Sequence, residues 1–191
     1  MCFLNQSSMT IKNFWSLNVD EAILVEKLKK ILGRNYEVFF PINSTLKDID
    51  LIVYNLKSKK MITIQAKGSR TYIPRRGEAI DEFSEGHTSW NVIKYESIFK
   101  PTNDVDFFIF VIHEEKISQR NRKMMQHYII LPVNELRQIT KKHKKIRNDK
   151  TYHYSFIVSA NKKVIEVNNT KSKKIDFSKY LNNFQLLKKS L

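Results

Sequence analysis

A single cysteine, four glycines and no long apolar run set the first limits on this chain of 191 residues. One thiol, Cys2, cannot form an internal disulfide, which fits a reducing compartment. Four glycines leave little material for phosphate-cradling loops, and neither a P-loop nor a GxGxxG turn occurs. No stretch of about eighteen uncharged apolar residues is present, so no membrane span is predicted. The first residues show no basic, apolar, small-residue signal pattern, and the expectation is a cytoplasmic protein. The five histidines, at 87, 113, 127, 143 and 153, form neither an HExxH helix nor a Cys/His zinc spacing.

What the chain has in quantity is positive charge. Lys and Arg number 34 against 19 Asp and Glu, a net charge of +15. That excess predicts attraction to polyanions and a salt-dependent encounter rate. The alternative is a lysine-rich surface that is simply solvated. Apolar residues make up 41% of the chain, with 12 Phe and 8 Tyr, enough for one sizeable core.

The stretch from Lys47 to Arg70, KDIDLIVYNLKSKKMITIQAKGSR, reads as two strands joined by a basic turn. Asp50 opens the first apolar run, Leu51 to Tyr54, and the second run, Met61 to Ile64, ends in Gln65-Ala66-Lys67. Side chains alternate along a strand, so Gln65 and Lys67 share one face and Ala66 takes the other. Pairing the two runs as a hairpin brings Asp50 beside that pair. A carboxylate, an amide oxygen and an ammonium on one rim suit a divalent metal and an attacking water. Asp48 is the rival carboxylate, two residues away and expected on the same strand face as Asp50.

This arrangement resembles the PD-(D/E)xK nuclease superfamily, the restriction-endonuclease-like fold. Its pattern is an Asp at the start of an apolar strand, then an acidic-x-Lys triplet at the end of the next. Here Asp50 and Gln65-Ala66-Lys67 hold those places, fifteen residues separating Asp50 from Gln65. Gln65 departs from the usual Glu or Asp but still offers a neutral oxygen to a hard cation. The resemblance implies Mg²⁺, with Mn²⁺ as a substitute, held by Asp50, the Gln65 oxygen and the Ala66 carbonyl. Lys67 would position the water or stabilise the transition state. A helical Glu commonly faces the metal in this family; Glu21 takes that place, or serves only as a helix N-terminal acid.

The rest of the chain is read in the same way. Residues 1–17 are an arm, 18–146 the nuclease-like core, and 147–191 a C-terminal hairpin and docking segment of the same domain. Asn18 is expected to cap a helix through Leu32, stopped by Gly33. Leu24, Val25, Leu28, Ile31 and Leu32 give it a buried stripe, with Glu21 at the edge of that stripe and Glu26 on the opposite side. A strand over Tyr36–Ile42 follows. Gly68 to Gly86 reads as a long functional loop, and Lys47, Arg70, Arg75 and Arg76 are candidate phosphate contacts. Trp90 is read as a core residue, ahead of a short amphipathic stretch through Phe99. Phe107–Ile112 and Tyr128–Leu131 are buried strands. Asn134 is expected to cap a helix that ends in Lys141–Lys145. Tyr152, Tyr154 and Phe156 share a strand face and are assigned to core packing, base stacking being the alternative.

The expectation is therefore an α/β protein, a mixed sheet flanked by helices with a C-terminal hairpin appendage. The function the resemblance implies is a Mg²⁺-dependent DNA endonuclease of restriction type, with a homodimer open. A homing endonuclease, a Holliday-junction resolvase and a non-cleaving nucleic-acid-binding protein share the same core and stay open. A basic interaction protein without any nucleic-acid role is the remaining alternative.

Overall fold

The first element is a helix because its apolar residues fall at four-residue steps. In α1 (Val19–Leu32), Leu24, Leu28 and Leu32 form the buried stripe, and Glu21 is buried with them. Asp20 and Glu21 in the first turn and Lys29 and Lys30 in the last complement the helix dipole. Gly33, at φ +85°, ends the helix with its N–H donating to the Lys29 carbonyl at 3.1 Å. The computed structural model describes residues 19–41, 46, 48–72, 87–100, 104–117, 122–159, 162–167 and 174–191. The expected cap Asn18 and most of the expected loop to Gly86 lie outside them.

In chain order the strands are β1 (Tyr36–Phe39), β2 (Leu51–Asn55), β3 (Met61–Tyr72), β4 (His87–Lys94), β5 (Phe107–Ile117), β6 (Arg122–Pro132), β7 (Thr151–Val158), β8 (Val164–Glu166) and β9 (Ile175–Asp176). The remaining helices are α2 (Tyr95–Phe99), α3 (Val133–His143) and α4 (Gln185–Ser190). Five strands form a mixed sheet in the order β1-β2-β3-β5-β6, in which β3 and β5 run parallel and the other pairs antiparallel. These are the five strands expected from the sequence.

A second sheet, β4-β7-β8-β9, is antiparallel throughout. It joins the first through the far end of β3, where Thr71 and Tyr72 pair with Ser89 and Thr88. Three expectations change here. Gly68 to Tyr72 continues a strand instead of opening a loop. The segment has no apolar run; hydrogen bonding to β5 on one edge and β4 on the other holds it extended. His87 to Lys94 is a full strand, and the hairpin of β7 and β8 pairs with it, so the C-terminal part completes a second layer and is not an appendage. Asn134 lies inside α3, whose N-cap is Pro132.

Two cores follow from the layers. One face of the five-stranded sheet packs Leu51, Val53, Ile62, Ile64, Ala66, Ile109 and Val111 under α1 and α4. The other face, with Phe108, Phe110 and Ile112, meets α3 and the inner side of the second sheet, where Tyr152, Tyr154 and Phe156 are buried. In the C-terminal docking segment Phe177, Tyr180, Phe184 and Leu187 are buried, and Leu181 is half-buried. Inside the second layer Lys144 pairs with the fully buried Glu166 and donates to the His153 carbonyl at 2.7 Å. Burial holds the Lys144 ammonium below the ordinary lysine range against the pull of Glu166. Among the described residues no helix is long and apolar enough to cross a membrane.

Candidate active site

Strand pairing brings Asp50 to the middle of β3. Its backbone N–H donates to the Ile64 carbonyl at 2.9 Å, and its Oδ2 accepts the Ala66 N–H at 2.7 Å. The carboxylate thus continues the β2 edge of the ladder one step beyond the last strand residue. It touches the peptide that joins Gln65 to Ala66. In a strand the N–H and C=O of one residue point to the same edge, so the Ala66 carbonyl faces the side from which Asp50 approaches.

Gln65 and Lys67 occupy the opposite face from Ala66, level with Phe108 and Phe110 of the neighbouring strand. Gln65 is only 5% exposed, and its Oε1 makes no hydrogen bond among the described residues. An unpartnered buried amide oxygen costs about 1–3 kcal/mol, so it is an unusual thing for a core to keep. Lys67 is half-buried.

The other sequence candidates are distributed around this rim. Glu21 is buried in α1 and approaches the sheet from the Ala66 side, the face opposite Gln65 and Lys67. Asp48 does not share a strand face with Asp50: its backbone is left-handed at φ +62°, which breaks the alternation. Its Oδ1 instead accepts the Ser97 hydroxyl at 2.9 Å, tying it to α2. The backbone of Arg70 belongs to β3, opposite His113. Lys47, Arg75 and Arg76 lie outside the described residues.

Several groups escaped the sequence reading. Asn91 faces inward from β4, is 3% exposed, and neither of its amide atoms makes a hydrogen bond among the described residues. On the α1 side, Asp20 Oδ1 and His113 Nε2 lie 2.5 Å apart. Asp20 lies so close over Gly68 that a Cβ there would come within 1.6 Å of its Oδ2. Gly68 is therefore needed for close approach, not for a turn. The pair borders a cleft of about 390 Å³ that Ser69, Met124 and Gln126 also line. His127 and Glu114 form a second such pair, at 2.6 Å. Only spatial pairing reveals these contacts, because Asp20 and His113 are 93 residues apart.

No family model, curated protein or solved structure matches the chain. The chemistry must be argued from its own residues. Among the described residues, no group of three or more His, Cys, Asp or Glu is placed to hold a metal ion. The donors at the rim are the Asp50 carboxylate, Gln65 Oε1 and the Ala66 carbonyl. All three are oxygens and one is charged, a set that fits a hard cation retaining much of its water.

Proposed function

We propose that this chain is a metal-dependent endonuclease that hydrolyses DNA phosphodiester bonds on a restriction-endonuclease-like fold. One observation carries the reading: the Asp50 carboxylate accepts the Ala66 N–H at 2.7 Å, and the residues on either side of Ala66 are Gln65, with a buried, unpartnered oxygen, and Lys67. Asp50, Gln65 Oε1 and the Ala66 carbonyl would hold Mg²⁺, or Mn²⁺ in its place; when bound, the ion acidifies a water and offsets charge developing on the phosphate. Lys67 supplies a second positive charge to that phosphate. Glu21, expected to face the metal, lies across the sheet from Gln65 and Lys67 and is given no part in holding this ion. Lys47, Arg70, Arg75 and Arg76 hold flanking phosphates. The net charge of +15 favours a polyanionic substrate.

The test is incubation with plasmid, a four-way junction and RNA, each with Mg²⁺ or EDTA. Cleavage should require the metal. Asp50→Ala should abolish it while leaving binding intact or tighter, and Lys67→Ala should slow it about 100- to 1,000-fold. No cutting of any substrate with Mg²⁺ or Mn²⁺ would remove the catalytic assignment.

The scarcity of carboxylates favours one second reading, a protein of this fold that binds nucleic acid without cutting it. Gln65→Glu separates the two. An active wild type should keep cutting and hold Mg²⁺ more tightly, because a charged oxygen serves a hard cation better than an amide. An inert wild type that gains cleavage through Gln65→Glu is the non-cutting binder.

A further inference from the structure

The outer face of the second sheet carries a row that core packing does not explain. Trp90, Val92 and Lys94 point outward from β4, with Trp90 43% and Val92 44% exposed. Trp90 was expected in the core; the strand turns Ser89, Asn91 and Ile93 inward instead. The indole stands edge-on against His153, with ring centroids 4.9 Å apart and planes at 79°. It is thus held in place while much of it meets solvent.

At the foot of the indole lie two polar atoms with no hydrogen-bond partner among the described residues, Ser155 Oγ and His153 Nδ1. Ser155 pairs with Trp90 across the strands and is only 4% exposed. A tryptophan that merely closed the sheet would be expected to cover apolar atoms. At the other end of the row the cations gather. Lys94, Lys145, Arg147 and Lys150 are exposed, and the turn carrying the last two is fixed by hydrogen bonds from Arg147 N–H to the Thr151 carbonyl and from Tyr95 N–H to the Lys150 carbonyl. The acid of that turn, Asp149, is engaged by the Thr151 hydroxyl at 2.6 Å.

An exposed aromatic plane with a line of cations beyond it matches the demands of single-stranded nucleic acid. There the bases stack on aromatic faces while the phosphates follow positive charge. Duplex ends offer few free base faces, and protein interfaces are depleted in lysine. We infer that this face binds an unpaired stretch of nucleic acid, one base stacking on Trp90 and neighbouring phosphates meeting Lys94, Arg147 and Lys150. The ligand class rests on the nucleic-acid reading above, but not on cleavage. The backbone N–H of Trp90 donates to Ser69 Oγ at 3.0 Å, so the strand that carries the indole is tied to β3 two residues beyond Lys67.

The chain has two tryptophans, Trp15 and Trp90, so Trp15→Phe leaves Trp90 as the sole indole reporter. In EDTA, where no metal-dependent cutting occurs, oligothymidylate should quench its fluorescence more strongly than a hairpin duplex of equal charge. In anisotropy titrations Trp90→Ala should weaken oligothymidylate binding about 5- to 150-fold, and Trp90→Phe should keep most of the affinity. Lys94→Ala should lower the salt dependence by about one ion. Trp90→Phe also guards against misfolding, since it preserves an aromatic ring. Binding without quenching, equal affinity in all three Trp90 proteins, or a Trp90→Ala effect seen only in self-association would each overturn the inference. Quenching by a protein that cuts nothing with Mg²⁺ leaves the platform standing and removes the nuclease reading; no nucleic-acid binding at low salt removes both.

Discussion

Three aspartates sit at strand starts, and the same kind of bond serves different ends. Asp106, just before β5, accepts the Thr63 N–H at 2.8 Å and the Thr63 hydroxyl at 3.0 Å. Asp149, before β7, accepts the Thr151 N–H at 3.2 Å and its hydroxyl. Asp50, before β2, accepts the Ala66 N–H. Each carboxylate satisfies a backbone donor that would otherwise face the end of a ladder. The surroundings differ. Asp106 and Asp149 are exposed beside threonine hydroxyls, whereas Asp50 is half-buried and bonded to the residue between Gln65, whose buried oxygen is unpartnered, and Lys67. A strand-end hydrogen bond alone therefore does not mark a site; the neighbours of Asp50 distinguish it.

The sharpest way to break this comparison is to remove each carboxylate in turn and measure cleavage. Asp50→Ala should abolish Mg²⁺-dependent cutting, while Asp106→Ala should leave the rate per folded molecule unchanged. Equal loss in both would reduce Asp50 to a second structural cap. In stability the two should differ less. Asp50→Ala strands a buried N–H and should cost about 1–3 kcal/mol in denaturant unfolding; Asp106→Ala, at a wet edge, about 0.5–1.5 kcal/mol.

Gln65→Leu tests the environment that sets Asp50 apart. Removing an unpartnered buried oxygen should raise stability by about 1 kcal/mol while eliminating cleavage, the pattern of a residue retained for function. A fall in stability would show that Gln65 serves the fold.

The smallest effect concerns acid. The Thr151 hydroxyl, ahead of the other contacts, holds the Asp149 carboxyl below the ordinary aspartate range. The unfolded chain therefore takes up this proton first, so the contribution is complete above about pH 4 and is lost as pH falls through the lowered value. Asp149→Asn should flatten the acid limb of a melting-temperature curve. An unchanged limb would mean that the hydrogen bond does not persist in solution.

The five strands of the first sheet were legible because their apolar runs are long and continuous, as in Phe107 to Ile112. The hairpin that presents Asp50 was legible for the same reason. What escaped was β4, whose sequence HTSWNVIK alternates with inverted polarity: Ser89 and Asn91 face in, Trp90 and Val92 face out. Hydropathy reads such a strand backwards, which is why Trp90 was assigned to the core. The extension of β3 through Gly68-Ser69-Arg70 was equally hidden, since its cause is backbone pairing with strands some 20 and 40 residues away. Asp48 failed as a rival because one left-handed residue cancels a two-residue periodicity.

The double membership of β3 also bears on how the chain is made. Of its 12 residues, Met61 to Ile64 can pair with β2 as soon as the hairpin emerges, but its other edge stays bare until residues 107–117 have been synthesised. During that interval a row of open amides is available to any other extended chain, the usual route to edge-to-edge aggregation. Lys57, Lys59 and Lys60 at the turn and Lys67 within the strand put like charge along that hairpin. The lysines proposed to meet a polyanion in the finished protein are joined here by others that keep nascent copies of the hairpin apart.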